Sequence, residues 1–179
     1  MPLNAIQAIV SGCAVSTTTI PSITLVENKN RNKTGSLSKV IIERAHNSVW
    51  FSVDRKAKNW SLYLNSTNGF QKRCDYVIMH NTGGNVKIIF VELKSLHVEK
   101  KEVFEKFKAT ECFMDYCESI AKRFFNKTVM SGCVKRFVVF YLPPSLAKTP
   151  TRPKSSNHNK PENAKFIPYR RRANLKQLL

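Results

Sequence analysis

The sequence predicts an α/β domain built on a mixed β-sheet flanked by helices. Three observations carry that expectation. Residues 73–94, RCDYVIMHNTGGNVKIIFVELK, read as a hairpin: Cys74 to His80 and Val86 to Leu93 are rich in Val, Ile, Phe and Tyr, and a Gly/Asn cluster from Asn81 to Asn85 closes the turn. A long amphipathic helix follows, from about Val98 to Phe125. Beyond it, Val134 to Leu142 (VKRFVVFYL) reads as another strand. Strand, helix, strand implies a crossover that lays this last strand parallel to the one ending at Lys94.

In chain order, an uncharged segment runs from Met1 to Val26, interrupted by Asn4, Gln7 and Ser11, and no Lys or Arg precedes its apolar residues. It does not read as a secretory signal. Ile20 to Val26 suits a short strand. Glu27 to Ser38 is polar and basic, a loop. Lys39 to His46 suits a short helix capped by Ser36 or Ser38, and equally a strand, because Val40, Ile41 and Ile42 are β-branched. Val49 to Asp54 and Trp60 to Leu64 read as strands, so that with the hairpin they form a meander of three or four. On the long helix, Val103, Phe107, Thr110, Met114, Cys117 and Ala121 share one face, widened by Phe104, Phe113, Ile120 and Phe124. That spacing fits packing on a sheet and marks the aromatic stripe as core.

Composition limits the partners. The chain has 179 residues, enough for one domain with a substantial core, and carries 30 Lys and Arg against 12 acids, a net charge of +18. That excess favours a nucleic-acid partner. A membrane is not expected, since no apolar run approaches the roughly 18 residues a spanning helix needs. Five cysteines without a CxxC pair read as reduced, mostly buried thiols of a cytoplasmic protein.

The hairpin also carries chemistry. Residues two apart on a strand share a face, so Glu92 and Lys94 emerge together while Leu93 turns into the core. Antiparallel pairing folds Asp75, at the far end of the first strand, back beside Glu92. Two carboxylates and one ammonium at one end of one sheet suit a hard divalent cation, which takes one or two carboxylates and keeps several waters. Such an ion polarises a phosphoryl oxygen and acidifies a bound water. Glu43 is the expected third acid if its segment is helical, with Glu27 as substitute and His46 a weaker one. Asp54, at a strand end, has a turn-forming role as its ordinary explanation. Lys56, Lys58, Lys72 and Arg73 crowd the flanking loops and are expected to line a phosphate track. Lys106, on the long helix, is counted with the residues expected to bind nucleic acid, against the commoner reading of a salt-bridged surface lysine.

Asp75, sixteen residues, then Glu92-Leu-Lys94 and a long amphipathic helix resembles the PD-(D/E)XK nuclease superfamily, the restriction-endonuclease-like fold. The resemblance spans roughly residues 37–142, and Cys74 stands where many members have Pro before the Asp. It implies that Asp75 and Glu92, with a third acid, hold Mg²⁺, for which Mn²⁺ substitutes. It implies that Lys94 serves the attacking water and that DNA is cut to 5′-phosphate and 3′-hydroxyl ends. DNA is favoured over RNA as the partner. The alternative is a non-catalytic DNA- or RNA-binding protein on the same fold, or a component of a larger nucleoprotein complex.

Residues 1–146 are expected to form this domain, closed by Pro143-Pro144. Residues 147–179 hold nine Lys or Arg against Glu162 and four of the eight prolines, and are expected to form a basic tail, flexible or partner-bound. Arg170, Arg171 and Arg172 in that tail are expected to bind nucleic acid, and the segment is also where a homodimer or protein partner is expected to dock.

Overall fold

The hairpin organises the observed architecture as well. A computed structural model describes residues 2–10, 14–16, 21–27, 39–54, 69–95, 98–143, 157–169 and 171–179. In chain order these form α1 (Pro2–Ile9), β1 (Ala14–Ser16), β2 (Ser22–Leu25), β3 (Val40–Glu43), β4 (Ser48–Ser52), β5 (Tyr76–Thr82), β6 (Asn85–Lys94), α2 (Lys100–Phe125), β7 (Val134–Tyr141), β8 (Lys165–Pro168) and β9 (Arg172–Asn174). Strands β5 and β6 pair from Tyr76–Val91 to Thr82–Asn85. Only Gly83 and Gly84 are left to turn the chain, and both have positive φ, 58° and 91°. A two-residue turn with both central residues left-handed matches the twist of its strands, and glycine adopts it without a Cβ penalty.

Six strands lie in the order β1-β4-β5-β6-β7-β8, antiparallel from β1 through β6 and parallel from β6 through β8. The expected crossover is present: α2 connects β6 to its parallel neighbour β7. A second, three-stranded sheet runs β2-β3-β9, also mixed. Among the described residues the fold is therefore α/β with two mixed sheets and two α-helices.

The alternation of β5 and β6 divides the core into two layers. Val77, Met79, Ile88 and Phe90 face the helices, meeting Val103, Phe107, Met114, Cys117 and Ala121 of α2 and Leu3 and Ile6 of α1. Phe90 stacks on Phe137 of β7 with ring centroids 4.8 Å apart, and Phe107 meets the same ring at 5.2 Å. The intervening residues Tyr76, Ile78, Ile89, Val91 and Leu93 face the small sheet, packing on Ile23, Leu25, Val40 and Ile42. Each such side chain, fully buried, contributes about 1.5–3 kcal/mol of transfer free energy. All six α2 residues expected to form the core face are buried, whereas Phe124, placed at its margin, is 79% exposed. Helix α2 ends where Asn126 turns left-handed (φ 51°), as Asn tolerates better than most residues.

One alternative is settled and one expectation is corrected. Of the helix and the strand that suit the segment around Glu43, the strand forms: three consecutive β-branched residues suit a sheet whose one face is buried. The region beyond residue 146 is not a detached tail in its described part. Strand β8 extends the large sheet beside β7, β9 pairs with β3, and Ala173, Leu175 and Leu178 complete the second core layer. Sparse apolar residues suffice there because they close surfaces that the rest of the fold has already built. The strand expected at Trp60 to Leu64 lies outside the described residues. No helix among the described residues is long and apolar enough to cross a membrane.

Candidate functional site

The β5–β6 register, carried one pair beyond Tyr76–Val91, sets Asp75 opposite Glu92. Asp75 is buried, and its Oδ2 accepts a hydrogen bond from the Leu93 backbone N–H at 2.6 Å. Glu92 is 1% exposed. Both acids lie on the sheet face that carries Val77, Ile88 and Phe90, the face covered by α2. Helix α2 is fixed over them by Thr110, whose Oγ1 accepts from the Cys74 N–H at 2.9 Å and donates to the Lys106 carbonyl at 2.8 Å. One side chain thus ties the entry of β5 to the turn of α2 that holds Lys106.

Two ammonium groups converge on Glu92. Lys106 Nζ lies 2.5 Å from Glu92 Oε1, and Lys94 Nζ lies 3.5 Å from the same oxygen. Lys94 also donates to both carboxylate oxygens of Glu102 at 3.2 Å, and Lys106 lies 3.7 Å from Glu102 one helical turn away. Glu92 Oε2 is buried and has no hydrogen-bond partner. Lys106 is 6% exposed, so the reading of it as a surface lysine is corrected: its stem lies in the core and its charge is directed at Glu92. A buried ammonium persists where a carboxylate compensates its desolvation.

Of the candidate third acids, Glu27 is the one drawn toward the hairpin acids, where the charge of Glu92 acts on it. Glu27 directly follows β2, and its carboxylate accepts from the Ser95 Oγ–H and, at 3.3 Å, from the Ser95 N–H, one residue past Lys94. Its placement is fixed by Tyr76, whose hydroxyl donates to the Val26 carbonyl at 2.8 Å and accepts from the Val26 N–H at 3.1 Å. Glu43 lies in the small sheet and pairs with Arg172 at 2.9 Å, with 41% and 69% of the two side chains exposed. The strand conformation of residues 40–43 is what removes it. His46 is exposed in the turn before β4, where its carbonyl accepts from Ser48 Oγ.

Burial, with the Asp75 charge adding to it, pushes the Glu92 carboxyl up to about 7, against the opposing pull of Lys106 and Lys94. Burial also raises Glu27, opposed by the Ser95 N–H and aided by the charge on Glu92. Burial opposes the charge on Lys106, yet Glu92 and Asp75 outweigh it and raise its pKa, so Lys106 stays cationic. Glu102 moves the other way: burial works against ionisation, but Lys94 overcomes it and lowers the pKa.

The expected phosphate-track residues are placed differently from one another. Lys72 pairs with Glu105 at 2.7 Å on the wall of a cleft of about 360 Å³, lined also by Glu99, Lys101 and Glu102 at the start of α2. Glu102 thereby joins this cleft to the Lys94 ammonium. Arg73 is half-buried; burial lowers its pKa and neighbouring Asp54 opposes the shift. The charge of Asp54 thus acts on Arg73. Arg171 and Arg172 are exposed, whereas Lys56, Lys58 and Arg170 lie outside the described residues. Ser95, Glu102 and Thr110 were not singled out from the sequence. Glu102 had a usable signal, its i,i+4 spacing to Lys106 in the helix that follows Lys94.

The carboxylate set can be tested against a divalent ion. Among the described residues no group of three His, Cys, Asp or Glu side chains is clustered so as to hold a metal unaided. Mg²⁺ does not require one, because it takes one or two carboxylates and completes its shell with water. The adjacent Asp75 and Glu92, and the unpartnered Glu92 Oε2, fit that demand. Comparison with protein-family models, with curated proteins and with solved structures finds no match to this chain.

Proposed function

We propose that this chain is a metal-dependent nuclease of restriction-endonuclease-like fold that hydrolyses phosphodiester bonds of DNA. The observation that carries the reading is the pairing of Asp75 with Glu92 at the hairpin ends, with two lysines converging on Glu92 whose second oxygen is buried without a partner. The element order supports it: an antiparallel hairpin bearing both acids, a long helix, and a parallel strand beyond. Asp75 and Glu92 would hold the ion, with Glu27 held nearby by Ser95.

When bound, Mg²⁺ or Mn²⁺ supplies a polarised phosphoryl oxygen and a bound water of lowered pKa. Lys94, the more exposed of the two lysines, orients the attacking water and offsets charge that develops on the phosphate. Glu102 holds Lys94 through two hydrogen bonds and so restricts its rotamers. The net charge of +18 provides sequence-independent attraction to the backbone.

A second reading is a nucleic-acid-binding protein in which the same groups form only a structural ion cluster. The neutralisation of Glu92 and Glu102 by Lys94 and Lys106 favours it. Incubation of the purified protein with plasmid, linear duplex and single-stranded DNA and with RNA, in Mg²⁺, Mn²⁺ or EDTA, decides between them. Metal-dependent cleavage of DNA is expected, and absence of cleavage of every substrate in both metals overturns the nuclease reading.

A further inference from the structure

The charge of Asp75 acts on Glu92 and that of Glu92 on Glu27, and Glu102 reaches the same site through Lys94 and Lys106. Two ammonium groups, Lys94 and Lys106, lie among them. The geometry around Glu92 is restrictive. Lys106 covers Glu92 Oε1 at 2.5 Å and reaches to within 3.7 Å of Glu102, and its side chain is only 8% exposed. Asp75 Oδ2 is engaged by the Leu93 N–H. The side of Glu92 that remains for an ion is Oε2.

Resting on the nuclease reading above, we propose that Lys106 is a resident cation that competes with the divalent ion for Glu92, so that the site takes one divalent ion and takes it weakly. An ammonium held this deep by the helix cannot leave for solvent when a metal arrives. It remains as a fixed positive charge beside the ion, repelling it, and it occupies the flank of Glu92 that a second ion would use. Lys94 repels the ion less, because it stands further from Glu92 and shares its charge with Glu102 through two contacts. The gain from having Lys106 is a Glu92 that stays compensated when no metal is present, since an unpaired buried carboxylate is strongly destabilising.

Mn²⁺ binding to the full chain, followed by calorimetry and by loss of the free-ion paramagnetic resonance signal, tests this without reliance on activity. Wild type is expected to bind one Mn²⁺ per chain, abolished by Glu92→Gln. Lys106→Met, which keeps the stem and removes the charge, is expected to bind at least about tenfold more tightly, the scale on which one neighbouring charge shifts an ionic equilibrium. Lys106→Gln retains a donor to Glu92 and serves if the Met variant does not fold; it is expected to tighten binding in the same sense. Lys106→Arg keeps the charge and is expected to match wild type, and Lys94→Met is expected to change affinity less than Lys106→Met does. If wild type binds Mn²⁺ through Glu92 but neither neutral Lys106 variant binds more tightly, the inference fails and the metal reading stands. Two ions bound by wild type likewise overturn the inference alone. If neither wild type nor the neutral variants bind Mn²⁺, both fall together. Binding by the neutral variants only supports the inference in its strongest form.

Discussion

Glu92 offers the sharpest physical test, because its burial has a consequence for stability that needs no substrate. Its carboxyl is raised from 4.5 to about 7 by burial and by Asp75. A group whose folded-state pKa lies above its unfolded value stabilises the fold below the unfolded pKa, and that stability is lost as pH rises through the folded pKa. The window is therefore pH 4.5 to about 7. At about 1.36 kcal/mol per pKa unit, the loss across it is about 3 kcal/mol. For a chain of this size that corresponds to about 6–12 °C in Tm. Other carboxylates titrate in the same range, and Glu102, lowered by Lys94, contributes with the opposite sign. The informative quantity is thus the difference between wild type and Glu92→Gln, measured by thermal unfolding without divalent ions at intervals from pH 4.5 to 8. That difference is expected to move against wild type by about 3 kcal/mol as pH rises, whatever the constant cost of placing Gln beside Lys106. A flat difference refutes the raised pKa. A difference that moves in favour of wild type means that Lys106 and Lys94 outweigh burial, with Glu92 ionised well below 4.5.

Three further outcomes are expected. Lys94→Ala lowers cleavage by about a hundredfold or more, the scale of losing one electrostatic stabiliser, while DNA affinity falls by no more than one phosphate contact contributes; equal losses in both measurements refute its role at the attacking water. Glu27→Gln lowers cleavage and the response of Tm to Mg²⁺, whereas Glu43→Gln leaves cleavage unchanged and costs at most about 1 kcal/mol, as an exposed ion pair does; the reverse pattern restores Glu43 as the third acid. Truncation after Pro143 abolishes the cooperative thermal transition, because it strips β8 and β9 from two sheets and removes buried Leu175 and Leu178, each of which in a Leu→Ala change costs about 2–5 kcal/mol; a truncated chain that melts cooperatively near the wild-type temperature refutes the integration of this segment.

The parts of the structure that were legible in the sequence are those with strong local periodicity. The hairpin, α2 and β7 combine uninterrupted patterns with clear boundaries, and the pairing of Asp75 with Glu92 follows from hairpin geometry alone. Residues 40–43 were ambiguous because Val and Ile fit a buried strand face and a short amphipathic turn alike. Only the neighbouring strands decide, and deciding moves Glu43 away from the site. Glu27 was legible as an acid but not as a neighbour of Ser95, 68 residues distant, since its position depends on the Tyr76 hydroxyl gripping Val26. The segment after residue 146 reads as too polar to fold by itself. Its few apolar residues become structural because β3 and β7 already present edges for β9 and β8. Lys106 suits a surface reading because lysine is almost never fully buried, and only Glu92 on the opposing strand explains why it lies inside.

The small sheet joins residues 22–25 and 40–43 to residues 172–174, and its parallel β3–β9 contact pairs residues as far apart in the chain as Ile41 and Arg172. Loops that long close late, because their entropy must be overcome before any contact rewards it. During synthesis, β5, β6 and α2 leave the ribosome well before β9 does. The hairpin acids and lysines therefore come together on a nascent chain whose small sheet still lacks its third strand, and Glu27 is carried by that unfinished sheet. For a protein proposed to cut nucleic acid, this order of assembly leaves Glu27 without its finished sheet until residues 172–174 have emerged.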